Sequence, residues 1–153
     1  MRTLRLTNFK LARTTNGIPR SEVIVTGHST GTLIEGAVFE AALEWQGLTL
    51  AFITDDIPFE DTLRIYLFDQ HFRVIDSAKL GSMYSTGAFS DLNIVGPDIV
   101  TFQFYGDTTW TIRLLASETF AIPVLSSPRG VSRPMRLRRR FNLYGNPLPE
   151  TRR

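Results

Sequence analysis

From Leu48 onward apolar side chains fall at every second position, and turn residues interrupt them at the spacing of short strands. Leu48, Leu50 and Phe52 alternate with Thr49, Ala51 and Ile53, and Leu63, Ile65 and Leu67 alternate with Arg64, Tyr66 and Phe68. The second of these runs carries apolar groups on both faces, which predicts a central or sandwiched strand. Phe72-Arg73-Val74-Ile75-Asp76 follows across a short Asp69-Gln70-His71 connection. Val100, Phe102 and Phe104 run into Gly106-Asp107, and Trp110, Ile112 and Leu114 return, which predicts a hairpin. Phe120, Ile122 and Val124 extend the meander, and Glu22-Val23-Ile24-Val25-Thr26 reads as an earlier strand. The expectation is an all-β fold, an antiparallel sandwich or partly open barrel of hairpin-connected strands, flanked by basic N- and C-terminal arms.

One segment reads in two ways. Thr32-Leu33-Ile34-Glu35 has capping-box spacing, and Ile34, Val38, Ala41 and Trp45 share a helical face, so one reading is a short helix near residues 33–45. Phe39, Ala41, Leu43 and Trp45 also alternate with Glu40, Ala42 and Glu44, and Gln46-Gly47 can turn a hairpin into the next strand. Gly36 weakens a helix, which favours a strand over 38–45.

The 153 residues suffice for a hydrophobic core, and 42% hydrophobic residues with 17 aromatics argue against intrinsic disorder. No apolar run approaches the roughly 18–20 residues of a membrane helix. Met1-Arg2-Thr3-Leu4-Arg5 leads into Thr7-Asn8-Phe9-Lys10 without the apolar stretch of a secretory signal, so the expected setting is cytoplasmic, away from membranes. The chain has no Cys, which removes disulfides and thiolate metal sites.

Formal net charge is +2, but it is unevenly spread. Residues 1–20 carry five basic groups and no acid, residues 21–120 carry 14 acids against four basic groups, and residues 121–153 carry eight arginines against Glu150. This pattern predicts a basic arm or edge strand at 1–21, an acidic β domain at 22–127 and an Arg-rich C-terminal arm at 128–153. Arg outnumbers Lys 15 to 2, and its planar fork suits fixed, partly buried pairing with carboxylate or phosphate. In the C-terminal arm Met135, Leu137, Phe141 and Leu143 alternate with Arg136, Arg138 and Arg140, and only Arg139 breaks the pattern. An extended arm would present an apolar side and an arginine side.

Gly27-His28-Ser29-Thr30-Gly31 follows a strand and matches G-x-S-x-G. It resembles the nucleophile elbow of the α/β-hydrolases, and that resemblance implies Ser29 as nucleophile and His71, the only later His, as its base. The likeness covers five residues, and the alternating strands and helices of that family do not follow. Asp55, Asp56, Glu60 and Asp61 place four carboxylates in seven residues around Pro58, in a spacing that matches no calcium loop. They read as a solvated turn or as the receptor of an arginine arm. The Arg136-Arg138-Arg140 row would space guanidiniums about 7 Å apart on a strand, near the phosphate spacing of a single nucleic-acid strand.

The leading expectation is a non-enzymatic protein-binding or assembly module. Arg136, Arg138, Arg140, Leu137 and Phe141 form its docking arm, and Asp55, Asp56, Glu60 and Asp61 form an acidic receptor, with a protein partner or a second copy as occupant. No cofactor and no metal are expected. The alternatives are a small serine esterase acting through Ser29 and a nucleic-acid-binding protein using the C-terminal arginine row.

Overall fold

A computed structural model describes residues 2–3, 9–13, 20–57, 61–81, 87–120, 128, 130–134 and 138–147. These residues form strands, turns and loops, and no helix occurs among them. The chain divides into two compact units: Met1–Asp56 with Leu63–Ser77, and Ile57–Thr62 with Ala78–Arg153. Each unit contains one of the basic ends, and this nearly balances the first and leaves the second basic. The first holds seven basic groups against eight acids, and the second ten against seven.

In the first unit, β2 (Phe9–Arg13), β3 (Arg20–Val25) and β4 (His28–Glu35) form one antiparallel sheet. A second sheet runs in the order β1 (Arg2–Thr3), β5 (Val38–Trp45), β6 (Leu48–Thr54), β7 (Leu63–Phe68), with β8 (Val74–Leu80) next to β7. Two-residue turns close the β3–β4 and β5–β6 hairpins. Thr26-Gly27 and Gln46-Gly47 all have positive φ, the geometry that matches strand twist in the tightest hairpins.

The short helix considered near residues 33–45 is not formed. Gly36 sits at φ 121, outside the helical region, and a Cβ there would run into the Ile53 side chain. The Ala37 N–H donates to the Thr54 carbonyl at 2.8 Å, and the Ser21 hydroxyl donates to the Gly36 carbonyl at 2.7 Å. Chain direction therefore changes at Gly36-Ala37, passing from the β2-β3-β4 sheet into β5. The strand reading over 38–45 coincides with β5.

The two sheets of the first unit share one core. Val23 and Ile34 from the smaller sheet pack with Ala42, Ala51, Ile53 and Phe68 from the larger, and Val25, Phe39, Tyr66, Phe72 and Val74 close around them. This is the sandwich expected from the alternation. β6 and β7 are buried on both faces, as the doubly apolar run at 63–68 required.

In the second unit the order is β13 (Arg138–Tyr144), β11 (Trp110–Phe120), β10 (Ile99–Gln103), β9 (Ser90–Ile94), all antiparallel. The short β12 (Val131–Ser132) pairs with the end of β8, Val131 opposite Leu80. Neither unit's sheets close into a barrel. The β10–β11 hairpin forms with Phe102 opposite Trp110, but residues 104–109 join it instead of a two-residue turn at Gly106-Asp107. Phe104 and Tyr105 are buried in that connection, and the Trp110 indole N–H donates to the Tyr105 carbonyl at 3.1 Å. The loop is longer because it packs its own aromatic pair. Ile122 and Val124 lie outside the described residues.

Candidate functional site

A largely buried polar group lies where the two sheets of the first unit meet. Arg64 is the second residue of β7, on the face that also carries Tyr66 and Phe68. Asp55 follows the end of β6, and Glu35 is the last residue of β4. The Arg64 Nε donates to Asp55 Oδ1 at 2.8 Å and Nη2 to Oδ2 at 2.9 Å, a two-pronged pair. Nη1 donates to Glu35 Oε2 at 2.6 Å. The Tyr66 hydroxyl donates to the Glu35 carbonyl at 2.8 Å. Pairing between β5 and β6 shifts register between Phe39 and Ala41, leaving Glu40 as the extra residue of a bulge, and its carboxylate accepts from Thr54 Oγ1 at 2.8 Å.

Burial sets the electrostatics of this group. Desolvation pulls the Arg64 guanidinium down, but the hydrogen bonds and charge of Asp55, together with Tyr66 and Glu35, outweigh it, and the net direction is upward. Burial pushes the Tyr66 phenol up to about 12; Arg64 opposes the shift and the Glu35 carboxylate adds to it. Asp55 is buried with Arg64, while the Glu35 side chain remains 45% exposed. The arrangement is a clamp that ties the end of β4 to β6 and β7.

The second arginine site is β13. It pairs with β11 in two stretches, Thr111–Leu114 opposite Phe141–Tyr144 and Thr119–Phe120 opposite Arg138–Arg139, with a register shift that leaves residues 115–118 of β11 outside the ladder. Phe141 and Leu143 are buried, and burying each is worth roughly 1.5–3 kcal/mol. Two positions along, on the same inward row, Arg139 is only 2% exposed. Its Nη2 donates to the Pro134 carbonyl at 3.3 Å, while Nη1 is buried with no hydrogen-bond partner among the described residues. An unsatisfied buried donor costs about 1–3 kcal/mol, so Arg139 offsets much of what one of its apolar neighbours contributes. Arg133 Nη1 donates to the Phe141 carbonyl at 2.8 Å, and its guanidinium carbon lies 4.1 Å from the centre of the Phe141 ring.

The expected site residues are distributed as follows. Asp55 holds Arg64 of the same unit, Asp56 is exposed, and Asp61 belongs to the second unit, where its Oδ1 accepts from the Thr62 N–H at 2.9 Å. Glu60, Arg136 and Leu137 lie outside the described residues, and of Arg138 only the backbone is described. Arg140 is half-buried on β13 and Phe141 is buried. Ser29 lies within β4, and its hydroxyl donates to the Glu22 carboxylate across the hairpin and accepts from the Gly31 N–H at 3.2 Å. No helix follows it, so the strand–turn–helix setting of an elbow is not built. His71 is exposed in the turn after β7, where its N–H donates to Asp69 Oδ1 at 2.8 Å. Among the described residues no group of three or more His, Asp or Glu side chains could hold a metal ion, and no helix is long and apolar enough to cross a membrane.

Glu35, Arg64 and Tyr66 are not among the site residues expected from the sequence. The available signal was a cation inside a run apolar on both faces, since such a group must be met by carboxylates. Arg139 carried a sharper signal: on a strict period of two it occupies the row of Leu137, Phe141 and Leu143. The chain matches no protein-family model, no curated protein and no solved structure.

Proposed function

We propose that the protein is a non-enzymatic protein-binding module that assembles by adding strands to the edges of its sheets, with arginine-rich segments docking on acidic protein faces. The observation that carries this reading is β13, an arginine-rich strand seated on the β11 edge with its apolar row inward. At the opposite margin of the same sheet, β9 pairs with no further strand among the described residues. Ser90, Asp91, Asn93 and Ile94 are exposed there, as is Val95 beyond it. Such a margin is a template for a further extended chain, with backbone bonds giving affinity and side chains giving selectivity. The partner is a protein or a second copy in a cytoplasmic setting. The nucleic-acid alternative has less support because Arg140, a member of the row that would face phosphates, is half-buried on β13.

The test is light-scattering mass across protein concentration and salt. The expected result is a mass that rises above the 17.3 kDa of one chain with concentration and survives high salt, because apolar burial and backbone bonding dominate. Phe141→Ser should reduce association more than Arg140→Gln does. A 17.3 kDa mass under every condition, together with tight single-stranded nucleic-acid binding lost in Arg138→Gln/Arg140→Gln, overturns the reading.

A further inference from the structure

Resting on that assembly reading, we propose that β13 is an exchangeable strand: the β11 edge of one copy accepts Arg138–Tyr144 of a second copy in the same register, and the two chains interlock. The occupant is specified by the structure itself, since this edge already receives this sequence with Leu114 opposite Phe141 and Ile112 opposite Leu143. A swapped pair would reproduce every β11–β13 ladder bond, so exchange changes which chain supplies the strand, while the Arg133–Phe141 and Arg139–Pro134 bonds have to be remade between copies.

Three features make β13 the strand to leave. It lies at the margin of its sheet, so its departure leaves the β11-β10-β9 pairings whole. Its ladder is broken where residues 115–118 of β11 fall outside it, so the two stretches do not reinforce one another continuously. Its inward row contains Arg139, whose Nη1 is satisfied once the strand reaches water. The buried guanidinium therefore favours the open state relative to a strand with an apolar residue at that position.

The hinge limits the geometry of the product. β12 remains held by Val131 opposite Leu80 and Ser132 opposite Lys79, which leaves residues 133–137 to cross between copies. Five residues span at most about 17 Å when extended, so the two β11 edges must lie close together.

The absence of native Cys allows a direct test. Positions 113 and 142 are register partners, so one population carries Arg113→Cys and another Asn142→Cys. Arg113 is exposed and its pair with Asp98 is long, at 3.5 Å, so the first substitution perturbs little. After mixing at high concentration and oxidation, the expected product is a disulfide-linked heterodimer, in excess of the homodimers that each variant forms alone. Arg139→Met should slow its appearance about tenfold, and Arg139→Lys should not. Doubled mass without the linked heterodimer overturns exchange and leaves the assembly reading standing. Single-chain mass at all concentrations overturns exchange, and together with the tight nucleic-acid binding named above it overturns the assembly reading as well. A linked heterodimer that forms equally fast with Arg139→Met removes Arg139 from the account.

Discussion

Arg64 in the first unit and Arg139 in the second both point inward from β-strands, and they differ in what meets the guanidinium. Arg64 is held through three nitrogens by Asp55 and Glu35, at distances of 2.6 to 2.9 Å. Arg139 has one carbonyl at 3.3 Å and a buried Nη1 with no partner among the described residues. Both pay the desolvation of a cation, but only Arg64 recovers it through carboxylates. The composition of each unit makes the difference intelligible. Acids slightly outnumber basic groups in the first, whereas ten basic groups share seven acids in the second. An inward arginine is thus neither a stabilising nor a destabilising residue in itself; its sign depends on whether the topology delivers an acid to the same point.

The largest expected effect comes from making Arg64 resemble Arg139. Asp55→Ala removes the two-pronged acceptor and leaves a buried guanidinium held only by the half-exposed Glu35, so unfolding stability should fall by about 3–5 kcal/mol. Denaturant midpoints at fixed protein concentration measure it. A loss below 1 kcal/mol would mean that water or Glu35 replaces Asp55, and the contrast between the units would weaken.

The reverse substitution should act with the opposite sign. Arg139→Met keeps an unbranched side chain, although a shorter one, removes the unsatisfied donor and continues the row of Phe141 and Leu143. It should stabilise the second unit by about 1–3 kcal/mol, read from the same denaturation experiment. Destabilisation of similar size to Asp55→Ala would show that Arg139 has a charge partner after all, and the two arginines would then be alike.

How much of this was legible in the sequence depends on whether the signal is local. The run at 63–68 and the Gln46-Gly47 turn were readable because a period of two and a positive-φ dipeptide are properties of neighbouring residues. The choice between helix and strand at 33–45 was harder, because Gly36 bends the chain against Ile53, a residue that only the folded sandwich brings there. The strands β4 and β9 escaped notice for a related reason: their exposed, polar positions dilute the alternation. The clamp was invisible as a unit because Glu35, Asp55 and Arg64 come from three separate strand ends. Arg139 was visible as an irregularity, but its burial is a fact of tertiary packing.

The smallest effect at neutral pH should come from Tyr66, which braces the Arg64 clamp through its bond to the Glu35 carbonyl. Tyr66→Phe removes that one hydrogen bond from a partly buried carbonyl and should cost about 1 kcal/mol at pH 7. The pH dependence carries the sharper information. Burial raises the folded phenol to about 12 from an ordinary value near 10, so the folded state holds the proton more tightly than the unfolded chain does. The contribution is therefore fully present below about pH 10 and is lost as pH rises from there through 12. That rise is worth roughly 3 kcal/mol, larger than the neutral-pH cost of the substitution. The stability gap between the parent and Tyr66→Phe should accordingly close and then invert across this window, while the difference in tyrosinate absorbance between the two proteins reports the titration itself. If the gap stays constant to pH 12, the phenol ionises as it does in the unfolded chain, and Tyr66 is not sealed into the clamp that distinguishes Arg64 from Arg139.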